Sequence, residues 1–392
     1  MNTIYVDFTG DSLGSKKVKY HGGGDFSRFI LWKLNEKLKN KTNLKICVLW
    51  PQGVDISRLS EEEQRIHNTF ESRSVNNLAS VDYHNGDILF LPLLDAFSVR
   101  KIGGVKKHNS QVKLYGVLHG IRLLDVCKYD KYDKFYYNGI KSLSIVLWVR
   151  RWMAGALSVL YLKQNLKLAD KIYTVSNCSM QKINSIAKIK NIKYFTRDIT
   201  PVDDLQTENK SIEDKFILFI NANRYEKNFI RSLEAFCRFK EMKGGDLNLY
   251  VLGASEQLQE NICKIKSINK NIVGEYVKFL GYVTPQRLRQ FFSNCEFLLY
   301  TSKSEGYGLP PLEAMTAGRP TLASSTTSVP EVLGMCAHYV NPYSVEDIAR
   351  GIEYMADPKN QTKYTRLFPV YLPLIQQRGE ADINMLVTEL LS

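Results

Sequence analysis

Short apolar runs recur along the chain between polar, glycine- or proline-bearing stretches. The runs Ile4–Val6, Val112–Leu118, Lys171–Val175, Phe216–Ile220, Leu247–Leu252 and Glu296–Tyr300 predict strands. Between them lie segments with apolar residues at helical spacing, such as Phe229, Leu233 and Phe236. Strands alternating with helices predict parallel sheets covered on both faces, the α/β class. A polar, aperiodic stretch from Thr200 to Asp214 reads as a linker. The expected division is a Rossmann-like domain over 1–205, a second over 206–370, and a helical tail over 371–392 that packs back toward the first. The longest apolar run, Leu143 to Leu162, carries Arg150 and Arg151 at its middle and predicts a buried or interfacial helix rather than a spanning one.

Composition fits this picture. With 392 residues, 44% hydrophobic and 24% charged, the chain is globular and long enough for two cores. Seven scattered cysteines without a Cys-x-x-Cys indicate neither a disulfide framework nor a zinc site. Asp7 stands where a leader would have its apolar core, so a cytoplasmic location is expected. Charge adds an asymmetry: residues 1–200 hold 32 Lys and Arg against 17 Asp and Glu, and the remainder is close to neutral. A surplus of this kind attracts anionic membrane. Nucleic acid is not expected, because the cations follow none of the common recognition patterns.

The richest local chemistry runs from Ser304 to Met315, Ser-Glu-Gly-Tyr-Gly-Leu-Pro-Pro-Leu-Glu-Ala-Met. After the strand ending at Tyr300 come polar residues and glycines, then a helix expected over Pro310 to Ala317, with proline in its first turn and Gly318 beyond its end. Its N-terminus faces Gly306-Tyr307-Gly308, a backbone that suits phosphate. Glu305 on the loop and Glu313 in the first helical turn can flank an extended ligand and accept hydrogen bonds from hydroxyls. A capped helix with Glu313 complementing its dipole accounts for the same residues. Ser328 and Glu331 have capping-box spacing. A second cluster, Arg224 and Lys227, stands where the strand Phe216–Ile220 gives way to a helix; two cations there suit a diphosphate, or are casual charges on an exposed loop.

The string from Glu305 to Met315, with its Glu-x7-Glu pair, closely resembles the signature of retaining glycosyltransferases of family 4 (glycosyl transferases group 1). The resemblance implies a GT-B fold, two Rossmann-like doubly wound domains facing across a cleft. It implies that Glu305 binds donor-sugar hydroxyls and Glu313 the ribose, that the backbone of Gly308 and Leu309 holds the diphosphate with Gly306 and Tyr307 also in the substrate site, and that Arg224 and Lys227 stabilise the leaving group. Three further segments resemble the family. His21-Gly22-Gly23-Gly24 looks like the glycine-rich loop after its first strand, making Gly23 and Gly24 candidate substrate ligands. His119, in Leu118-His119-Gly120-Ile121-Arg122, matches a histidine near the donor sugar. Tyr282 lies in the segment that meets the nucleotide base.

The implied activity is hexosyltransferase-type, retaining and metal-independent: transfer from a UDP-, GDP- or similar nucleotide sugar to a glycan or lipid-diphosphate-linked glycan in surface-polysaccharide (O-antigen or capsule-type) assembly. No cofactor and no metal are expected. The basic half and the aromatic stretch Tyr129 to Tyr137 suit a lipid-diphosphate-linked sugar at the inner membrane face, with peripheral contact to anionic membrane expected. The competing reading is a non-catalytic GT-B carbohydrate-binding or assembly partner of another transferase.

Overall fold

A computed structural model describes residues 2–10, 22–38, 44–126, 130–138, 143–196 and 212–392. Thirteen strands are seen among them: β1 Asn2–Asp7, β2 Leu44–Pro51, β3 Glu71–Val75, β4 Ile88–Leu94, β5 Lys113–Leu118, β6 Lys171–Thr174, β7 Ile192–Tyr194, β8 Phe216–Phe219, β9 Asn248–Val251, β10 Val277–Phe279, β11 Phe297–Tyr300, β12 Thr321–Ser324 and β13 Ala337–Val340. They form a seven-stranded sheet of order β3-β2-β1-β4-β5-β6-β7 and a six-stranded sheet of order β10-β9-β8-β11-β12-β13. Every pairing is parallel. The inner strands are apolar because helices cover both faces of a parallel sheet; β8 (FILF) and β11 (FLLY) are buried at every position. Polar β3 (ESRSV) lies at an edge, where one side needs no covering. Five of the six expected strands lie within a residue of the observed ones at both ends, and β1 starts two residues earlier than expected.

The contacts divide the chain into two compact units. One comprises Met1–Ile121, Ala156–Arg197 and Arg378–Ser392; the other comprises Arg122–Gly155 and Asp198–Gln377. This differs from a single cut at residue 205, and most of the expected linker lies outside the described residues. The correction concerns Arg122–Gly155, which the sequence assigns to the first half and the contacts assign to the second unit. Its aromatics explain why. Tyr132 is 4% exposed within the second unit's core, and Phe135 and Tyr136 pack against that core. The stretch expected to serve a lipid-linked acceptor is instead interior surface of this unit, with Tyr129 outside the described residues.

Ion pairs fix the same segment. Lys303 Nζ lies 3.0 Å from Asp133, Arg231 2.7 Å from Asp130, and Arg151 2.5 Å from Asp133, which is fully buried. Two cations on one buried carboxylate satisfy the requirement that an interior charge be paired. Lys303 and Arg231 also hold Asp130 below the usual carboxylate range, although burial opposes this.

Candidate active site

Within the second unit the chain lays down β8, β9 and β10 toward one edge, then restarts at β11 and proceeds through β12 to β13 toward the other. The reversal falls between β8 and its neighbour β11. Open parallel sheets leave a crevice beyond the carboxyl ends of their strands at such a point. The loop after β8 supplies Arg224 and Lys227, and the loop after β11 supplies Glu305 through Gly308. Across the reversal, Lys227 Nζ donates to Glu305 Oε1 at 2.5 Å and to the Tyr300 hydroxyl at 3.0 Å. Lys227 is 5% exposed. Burial lowers its pKa from the ordinary 10.5, with Glu305 opposing. Burial, reinforced by Glu305, raises the Tyr300 phenol well above its usual value.

The loop after β8 is shaped by two asparagines in left-handed conformation, Asn221 (φ 58°) and Asn228 (φ 67°), which enclose the turn Tyr225–Lys227. Asparagine tolerates this region better than most side chains. The Asn228 amide donates to the carbonyls of Thr301 (3.2 Å) and Pro342 (2.6 Å), tying the turn to the end of β11. Arg224 Nε donates to Glu226 Oε1 at 2.6 Å, and Arg122 Nη1 reaches the same oxygen at 2.8 Å. Burial would raise the Glu226 pKa, but Arg224 and Arg122 pull it below the ordinary value. Burial likewise works against the Arg224 charge, and Glu226 and Glu305 more than offset it. Glu226 and Arg122 were not foreseen as site residues. The acid adjoins Lys227 and was visible, whereas Arg122 lies 104 residues from Glu226 and leaves no local signal.

The loop after β11 is pinned from β12. Thr327 Oγ1 accepts from the Glu305 N–H at 3.2 Å, and Ser328 Oγ bonds the carbonyls of Glu305 (3.1 Å) and Tyr307 (2.9 Å). Ser328 therefore does not act through a capping box: its helix, Val329–Leu333, has no side-chain cap bond, because the hydroxyl donates to this loop instead. Gly308, at φ 108°, occupies a backbone region that a side chain would strain, and opens the helix Leu309–Thr316. Pro310 and Pro311 fill its first turn and contribute no N–H, so the free donors here are the backbones of Gly308 and Leu309. The helix starts one residue earlier than expected. Glu313 lies just past the first turn rather than within it. Tyr307 is 8% exposed and packs inward; Gly306 and Glu313 are half-buried.

Toward the other edge, the loops after β8, β9 and β10 are laced together. Asn223 N donates to Gly253 O at 3.0 Å and Gly253 N to Gly281 O at 2.6 Å. Tyr282 emerges from this lacing with its ring 72% exposed, a shelf beside the strand ends.

In the first unit, His119 follows β5. One ring nitrogen, Nε2, lies 2.8 Å from the Pro92 carbonyl, and the ring meets Phe26 edge-on with centroids 5.0 Å apart. Gly23 and Gly24 are not in a loop: the helix Gly22–Leu38 already includes them, so they form its first turn, while His21 lies outside the described residues. Their low helix propensity made a loop the local expectation, and tertiary context overrides it. The structure thus joins Arg224, Lys227, Glu305 and the Gly308–Leu309 helix start at one strand reversal, and it describes His119, Gly23 and Gly24 on the other unit.

Comparison with known proteins bears on the family and the fold. Residues 203–366 match the family model described as Glycosyl transferases group 1. Among curated relatives, serotype-specific mannosyltransferase WbdA of Escherichia coli is 28% identical over 198 residues, 47% of this chain and 24% of that protein. O-antigen chain mannosyltransferase RfbU of Salmonella typhimurium is 28% identical over 208 residues, 50% of this chain and 54% of that protein. The chain therefore spans between about a quarter and a half of the length of these relatives. Among solved structures, the trehalose-6-phosphate synthase OtsA aligns over 100% of this chain and 99% of its own, with TM-score 0.65 and 12% identity. Sucrose-phosphate synthase from Thermosynechococcus elongatus covers 98% and 97%, with TM-score 0.63 and 14% identity. At such identities the likeness establishes the fold, which is GT-B.

Proposed function

We propose, from the match of residues 203–366 to the glycosyl transferases group 1, that the chain belongs to that family and transfers a sugar from a nucleotide-diphosphate donor to a growing surface glycan. The observation that carries this reading is the Lys227–Glu305 contact at 2.5 Å across the strand reversal, with Arg224 and the Leu309–Thr316 helix start beside it. Cations and a helix N-terminus converge on a place for the diphosphate, and the carboxylates suit sugar and ribose hydroxyls. The names of WbdA and RfbU favour a mannosyl residue.

Chemically, the bond between the anomeric carbon and the diphosphate oxygen breaks through a cation-like transition state, and the acceptor hydroxyl forms the new bond on the same face. Attack on that face retains the configuration, and because the departing phosphate takes the acceptor's proton no side-chain base is required. Arg224 and Lys227 stabilise the charge that develops on the leaving group, the role a metal plays elsewhere. Tyr282 offers a face for the base. The acceptor is a glycan or lipid-diphosphate-linked glycan, met at the inner membrane face by a cytoplasmic, peripherally associated protein.

The test is turnover with a panel of sugar nucleotides, including GDP-mannose. Glu305→Gln and Arg224→Ala are each expected to lower the rate by about 100-fold; near-normal rates in either variant refute the assignment. Addition of a chelator is expected to leave the rate unchanged.

A further inference from the structure

The helix Ser144–Asn165 has its amphipathic character inverted. Over its first three turns the inward positions are Leu147, Arg151 and Gly155, while Ile145, Trp148, Val149, Trp152 and Met153 face solvent. Trp148 is 54% exposed and Trp152 63%. Positions 145, 148, 149, 152 and 153 form one continuous stripe on a helix. The inward arginine is accounted for, since Arg151 pairs with buried Asp133 at 2.5 Å and stacks on the Tyr225 ring at 4.3 Å. The outward tryptophans have no such account within the unit, and a stripe of this kind marks an interaction site.

Two further observations decide what covers it. From residue 134 to residue 169 the chain carries six Lys and Arg and no Asp or Glu; Arg151 is neutralised by Asp133, and the other five leave the stretch around the apolar stripe with a net positive charge. A second copy of the chain would bring that charge against itself, whereas an anionic lipid surface complements it. Tryptophan, apolar toward one end and polar toward the other, is the residue that settles at the headgroup level. By length and composition alone the segment Ser144–Leu168 could cross a membrane. It cannot do so while Leu147, Arg151 and Gly155 are packed on protein.

We propose that the outward face of the helix Ser144–Asn165 docks on an anionic bilayer, the helix lying in the headgroup plane with Trp148 and Trp152 inserted. This deepens the membrane-side setting proposed above and rests on it. Apolar area in the interface and charge attraction together would hold the protein to the surface reversibly.

The test uses the full chain and vesicles of phosphatidylethanolamine with phosphatidylglycerol. The wild-type protein is expected to cosediment at low salt, with a blue shift of tryptophan emission. Of the four tryptophans, Trp50 is fully buried and Trp32 half-buried, so the shift reports Trp148 and Trp152. The variant Trp148→Gln/Trp152→Gln, altered only at solvent-facing positions, is expected to bind at least roughly tenfold more weakly. Wild-type protein that stays in the supernatant, or a variant that sediments equally well, overturns the proposal. So does a wild-type dimer that the same substitutions convert to monomer. Thermal shift with nucleotide sugars, run in parallel, separates the two readings: vesicle binding without stabilisation by any sugar nucleotide removes the transferase assignment and leaves the docking face, and the reverse result removes only the docking face.

Discussion

Lys227 and Glu305 form a buried pair whose structural and chemical roles can be separated. The ammonium is 5% exposed and the carboxylate side chain 12%, and each is the other's opposite charge at 2.5 Å. Breaking a buried pair on one side leaves an uncompensated charge, which costs about 3 kcal/mol, whereas replacing both partners is close to neutral. Lys227→Met is therefore expected to destabilise the second unit by about that amount, and Lys227→Met/Glu305→Gln to recover most of it. Denaturant unfolding of both variants checks the stability, and transfer assays are expected to find both inactive. A double variant no more stable than the single one shows that the charges are not coupled. At this scale the sequence was informative wherever the chemistry was contiguous: Glu305, Gly308 and Glu313 lie on one strand-loop-helix string, and Arg224 and Lys227 on another. It was silent on Arg122 beside Glu226, and misleading on Ser328, whose nearby glutamate suggested a cap while its real partners are carbonyls 21 and 23 residues away.

Among elements, the final helix Phe368–Leu390 is held at its end by a single acid. Glu389 accepts from the Tyr173 hydroxyl and from Lys193 Nζ, each at 2.5 Å, and Lys171 Nζ lies 3.0 Å away. Burial works against its charge, but these three donors pull its pKa from 4.5 to about 2. A carboxylate whose folded pKa lies beneath its unfolded value contributes stability that is complete above the unfolded value and is lost on acidification. The helix end is thus expected to stay docked above about pH 4.5 and to loosen as the pH falls toward 2. Hydrogen exchange of residues 383–390 between those limits checks this. Glu389→Gln is expected to remove the pH dependence and to cost about 1–2 kcal/mol at neutral pH; protection that falls with pH equally in the variant shows that another group is responsible. A tail packing back on the first half was expected, but its three donors were not legible, because they come from β6 and β7, about two hundred residues away. The six expected strands were legible, since their apolar runs end at polar residues, whereas β3 (ESRSV) offered no apolar run to read. The glycine-rich start of the helix Gly22–Leu38 was not, because glycine argues locally for a loop.

On the scale of the whole chain, the second unit is discontinuous in sequence, and this has a consequence for how it folds. Arg122–Gly155 supplies Tyr132, Phe135 and Tyr136 to its core and Asp130 and Asp133 to Arg231 and Lys303. Lys303 lies between Thr301 and Glu305 on the loop that presents the candidate donor ligands, and Ser304 Oγ bonds Asp125 at 2.7 Å. Removing the excursion would leave two buried cations unpaired and three aromatic sites open. Each such loss costs on the order of 3 kcal/mol, and together they approach the whole stability of an ordinary domain. A fragment beginning at residue 206, which an apparent linker invites, is therefore expected to be a poorly packed species that binds hydrophobic dye and lacks a cooperative melt. Joining residues 122–155 to the same fragment through a flexible linker is expected to restore a cooperative transition. Near-ultraviolet circular dichroism and calorimetry on the two forms decide the matter. A well-folded 206–377 fragment shows that the excursion is an ornament of this unit, and a cooperative transition only in the joined form shows that the loop carrying Glu305 depends for its shape on residues some 170 positions upstream.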